Sequence, residues 1–158
     1  MASLIFLPFV TAIGIWVSWS DMKFMKIPNK AVLALVAVWL VVGIIVVPIE
    51  LWLWGCALGA GVLVVTFLAT VAGLIGAGDA KFAAAMAPFF VTADPRFVMA
   101  LFAACLLGAF VGHRGMRLVT PFRAATADWA SWTNKDFPMG LALSGTLILY
   151  LVAMLLQS

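Results

Sequence analysis

Six apolar runs, at roughly 3–20, 30–48, 51–75, 77–93, 97–113 and 137–157, approach the length a helix needs to cross a bilayer. A hydrocarbon core of ~30 Å takes about 20 apolar residues in a helix, with ~17–25 the common range. They leave little chain for anything else. With 66% of the residues hydrophobic and 9% charged, and a mean hydropathy of +1.23, a water-soluble domain could not cover its apolar area. The reading is an all-α polytopic membrane protein, a bundle of about six transmembrane helices forming one integral-membrane domain over residues 1–158. The lipid bilayer is its first partner.

The first run, Leu4 to Trp19, has no basic residue ahead of it and carries its charges behind. That is the wrong order for a cleaved secretory leader, so it is expected to stay as a membrane segment. The fourth run is short, bounded by Lys81 and Asp94, and a re-entrant loop competes with a span there. Charge placement decides. Lys23, Lys26 and Lys30 follow the first run, and Arg114, Arg117 and Arg123 follow the fifth. Short loops rich in Lys and Arg stay cytoplasmic. Six crossings put both clusters and the Gly76–Lys81 turn on the cytoplasmic side, with both chain ends outside. A re-entrant fourth run would export the arginines. Trp129 and Trp132, in the hydrophilic 113–136 stretch, are expected at the headgroup level. The arginines there are expected to set orientation and touch anionic lipid, not nucleic acid.

Carboxylates near hydrocarbon are costly and tend to be functional. Glu50, Asp94, Asp128 and Asp136 fall in turns or in the long loop, where water solvates them. Asp21 and Asp79 differ. Asp21 closes the first run, and Asp79 stands in Gly76-Ala77-Gly78-Asp79-Ala80-Lys81 at the mouth of the fourth. The topology places both at the cytoplasmic boundary. Two carboxylates that converge can share one proton, because like charges resist joint ionisation. The ionised member activates water and the protonated one donates to a carbonyl. Gly76 and Gly78 would permit backbone conformations and close approaches that a side chain blocks. No metal or cofactor is required, and Cys56, Cys105 and His113 do not make a zinc site. A second account stands beside this one from spacing alone: Asp79 caps its helix, and Asp21 is a solvated helix end balanced by Lys23. Lys81 reads as a topology anchor, and His113 as a residue solvated at the interface.

The pair of motifs, Asp21…Lys26-Ile27-Pro28-Asn29 and Gly76-Ala77-Gly78-Asp79-Ala80-Lys81, resembles the type IV prepilin peptidase family of GxGD aspartic proteases. Asp136-Phe137-Pro138-Met139-Gly140-Leu141-Ala142 is similar to that family's proline–glycine approach to its final helix. The resemblance implies Asp21 and Asp79 as the catalytic pair, with Gly76, Gly78, Lys81, Pro28 and Asn29 as motif support. It implies an inner (plasma) membrane enzyme whose active site faces the cytoplasm. The implied substrate is a prepilin-like protein with a basic leader and a hydrophobic helix, cut after a glycine at the end of the leader. Long members of the family carry a further domain with paired Cys-x-x-Cys motifs, linked to N-methylation. Nothing in this sequence corresponds to it, so methyltransferase activity is not expected, and the chain resembles the short members of Flp/Tad-type pilus systems.

Two other classes compete. A small proton-coupled membrane transporter would also hold intramembrane carboxylates, though usually near the midplane and often with inverted repeats. A catalytically inactive assembly protein of a pilus or secretion apparatus is the other.

Overall fold

A computed structural model describes residues 2–157, and no strand occurs among them. The helices are α1 (Ala2–Phe24), α2 (Asn29–Ala37), α3 (Ile44–Val46), α4 (Ile49–Val71), α5 (Ala77–Met86), α6 (Pro95–Met116), α7 (Thr120–Ala125) and α8 (Met139–Leu156). A π-helical stretch, Val38–Gly43, joins α2 to α3, so that Asn29–Val46 runs as one rod. That rod, α1, α4, α6 and α8 are long and apolar enough to cross a membrane.

The sixth passage is shorter and takes a different form. Asp79, at its start, shares a cavity with Asp21 near the end of α1 and Met139 at the start of α8. Phe89, in the 3-10 turn Ala87–Phe90 that extends α5, shares another with Ala2, Pro48 and Met154. The segment therefore runs from one end of the bundle to the other. Phe82, Ala84, Ala85, Met86, Pro88 and Phe89 are buried along it, so protein rather than lipid surrounds it. Short, irregular backbone is tolerated at membrane depth on that condition. Ala2 and Met154 lie at the end away from Asp21 and Asp79. The polytopic all-α expectation holds: five helices can cross by length and composition, and the fourth run of the sequence traverses the bundle inside it.

The core forms where α1 and α8 pack along each other. Gly14 allows the approach: a Cβ there would stand 2.9 Å from Ile148 Cδ1. Phe6, Trp39 and Phe89 make an aromatic knot, with ring centroids 5.0 to 5.8 Å apart. The Trp39 ring lies over Gly55, leaving no room for a side chain. The outer surface is the reverse. In α6 His113 is the one buried residue, and Leu107 and Val111 are at least 60% exposed. Hydrocarbon covers such a face at no cost.

Two boundaries beside the dyad differ from the sequence reading. Helix α1 continues past Asp21 to Phe24. Helix α4 stops at Val71, because Gly73 takes a left-handed φ of +74°. There its N–H donates to Thr70 O, and Leu74 N–H donates to Ala69 O, the Schellman closure of a helix end. The 113–136 stretch also folds back on itself more than expected. Trp132 is 2% exposed, and its Nε1–H donates to Thr126 O at 2.7 Å. It is a packing centre, not a headgroup anchor. His113 stacks on it at 4.9 Å and is buried, not solvated.

Candidate active site

Asp21 lies one turn before the end of α1, and the chain leaves that helix through Met25, the one non-glycine residue with positive φ (53°) among the described residues. Ser20 Oγ donates to Lys26 O at 2.9 Å, holding the exit. Pro28 then starts the next rod: its ψ of 133° is extended, and its carbonyl accepts from Ala31 and Val32 N–H. The strap between these points carries Ile27 to within 3.4 Å of where a Cβ on Gly78 would sit. The Lys26-Ile27-Pro28-Asn29 motif thus lies against the glycine motif of α5.

Asp79 occupies the first turn of α5. It and Asp21 line two cavities in common, of about 430 Å³ and 360 Å³. Asp21 is 5% exposed. Its Oδ2 accepts the Gly140 N–H at 2.7 Å, across 119 residues of sequence. That N–H belongs to the first turn of α8, where backbone donors have no partner within the helix. Each carboxylate therefore sits at a helix N-terminus, where the exposed N–H groups favour negative charge. Asp79 is half-buried at the mouth of its passage, on the cleft that Asp21 also lines.

The glycines act through space. Gly76 has a φ of −69°, open to any residue, so the freedom expected of its backbone is not what it supplies. A Cβ there would stand 2.7 Å from Asp79 Oδ2. A Cβ on Gly140 would stand 2.9 Å from Asp21 Oδ2 and 3.0 Å from Asp21 Cβ. Both glycines leave room for a carboxylate. Lys81 does more than anchor the fold: its Nζ donates to Asn29 Oδ1 at 3.3 Å. Lys81, Asn29, Gly76 and Gly78 all line the 360 Å³ cavity with the two aspartates.

Lys23 does not balance Asp21. It pairs with Asp128 at 3.4 Å, and the burial of Asp21 excludes a solvated helix end. Asp94 caps α6 by accepting Arg96 N–H at 2.8 Å. Asp136, read as a loop charge, is exposed but stands on the wall of the 430 Å³ cavity with Asn134. Asn134 and the Gly140 contact escaped sequence reasoning. The only signal for either was the polar, proline-broken run leading into the last helix.

A buried and a half-buried carboxylate that line one cleft, free of cationic partners within 4.0 Å among the described residues, are equipped to exchange a proton with a bound water. A family model of the type IV leader peptidase family matches residues 8–113, more than half of the chain and a stretch holding both aspartates. No curated protein and no solved structure matches the chain.

Proposed function

The chain belongs to the type IV leader peptidase family, and on that footing we propose that it is an aspartic endopeptidase in which Asp21 and Asp79 share one proton. Membership makes it a leader-peptidase-type protease of the membrane. The dyad, the aspartic chemistry and an Flp-type substrate are our reading. The observation that carries it is that these two carboxylates line one cleft at one end of the bundle.

The mechanism follows from that placement. A water held between the carboxylates loses a proton to the ionised one as its oxygen attacks the scissile carbonyl. The protonated partner donates to the carbonyl oxygen, giving a neutral tetrahedral diol. Collapse breaks the C–N bond, with the proton passing to the leaving nitrogen. The Gly140 N–H holds the Asp21 carboxylate in one orientation throughout.

The substrate's hydrophobic helix has a place to lie. An apolar groove of about 440 Å³ runs between α2, α4 and α5, with Ala60, Leu63 and Ala84 on its walls. Lys81 lines both this groove and the dyad cleft. A helix lying in the groove would end beside the aspartates, at the junction with its polar leader. We place this end at the cytoplasmic face of the inner membrane, since Lys26 lines the dyad cleft and belongs, with Lys23 and Lys30, to a short basic connection of the kind that stays cytoplasmic.

The test uses the purified full chain in proteoliposomes. Incubation with a prepilin-like protein should release its leader as a single fragment, with no proton flux. Flux without cleavage favours a transporter, and neither activity favours a silent assembly role.

A further inference from the structure

Away from the dyad, an open cavity of about 940 Å³ forms where the last turns of α6 meet α7. Arg114, Arg117 and Arg123 line it over an apolar floor of Phe110, Val111 and Leu118. Each guanidinium is held by something other than an acid. Arg114 lies 5.1 Å over the Phe110 ring, and Arg123 lies 5.5 Å over the Trp132 ring. Arg117 donates to Trp132 O at 2.7 Å. Among the described residues the one ion pair within 4.0 Å is Lys23–Asp128, so none of the three is neutralised by a carboxylate. Three cations fixed around one space repel each other, and an anion between them relieves that repulsion.

The floor narrows the choice of anion. Leu118 is 84% exposed and Val111 60%, in continuity with the lipid-facing side of α6. A free phosphate would use the arginines and leave the floor bare. A neutral lipid would cover the floor and leave the charges unmatched. We infer that this cavity binds one anionic phospholipid, with its phosphate among Arg114, Arg117 and Arg123 and an acyl chain along Phe110, Val111 and Leu118. The end of a spanning helix sets the cavity at headgroup depth, where basic pockets take such lipids. The site contains neither aspartate and stands independently of the peptidase reading.

Native mass spectrometry of the purified full chain tests it, with phosphatidylglycerol and phosphatidylcholine as probes. The wild type should retain phosphatidylglycerol over phosphatidylcholine. Arg114→Gln with Arg123→Gln should lower that retention at least tenfold, leaving Arg117 to hold Trp132. Arg96→Gln, at the opposite end of α6, should leave it unchanged, and excess inorganic phosphate should not displace the lipid. Equal retention of both lipids overturns the proposal, as does undiminished retention in the double variant, an equal loss in Arg96→Gln, or displacement by phosphate. If the double variant fails to fold, Arg114→Gln alone must still weaken retention by about threefold, and no weakening there overturns it equally.

Discussion

A methyl group added at residue 76 and one added at residue 78 should have opposite consequences. At Gly76 it would meet Asp79 Oδ2 at 2.7 Å, whereas at Gly78 its nearest neighbour is Ile27 Cβ at 3.4 Å, an ordinary contact. Gly76→Ala should therefore keep the fold, turn the Asp79 side chain aside and cut cleavage by at least tenfold. Gly78→Ala should retain most of the activity. Equal loss in both would show that the motif works through backbone freedom instead. The two aspartates could be singled out in the sequence because acids are scarce in so apolar a chain. The Gly140 contact could not, because no local pattern says which helix N-terminus will meet a side chain 119 positions away.

At the scale of elements, α5 is the unusual member. Its 10 residues and the 4-residue 3-10 turn are too few for a lipid-facing span, yet they cross because α4 and its neighbours enclose them. Charge counting could reveal this passage where length could not. Small residues on α4 and α5, among them Gly59, Ala60, Ala84 and Ala85, shape the groove assigned to the substrate helix. Filling it with Ala60→Trp should raise the KM for a full-length prepilin-like protein by about tenfold. Turnover of a short peptide lacking the hydrophobic helix should be unchanged. Loss of both activities would place the groove outside substrate binding. Loop elements were the least legible. Trp132 and His113 lie where span ends usually meet headgroups, but the fold-back through α7 buries both, and that packing depends on contacts the local sequence does not encode.

For the whole molecule, six passages put Ala2 and Met154 at one end and the dyad cleft at the other. In a chain lacking Cys56 and Cys105, a cysteine at Ser3 should react with an impermeant thiol reagent only from outside the cell, and one at Asn134 only after the membrane is opened. Reaction of both from the same side would refute the topology. The all-helical architecture was legible because a bilayer admits few solutions for so apolar a chain. The meeting of α1, α5 and α8 at one cleft was not, since it depends on which helices pack together. The most direct measurement is leader release by purified Asp21→Asn and Asp79→Asn, each shown by thermal melting to be folded. The account predicts that each variant alone loses at least a thousandfold in rate while still binding the substrate. Cleavage near the wild-type rate by either one contradicts it.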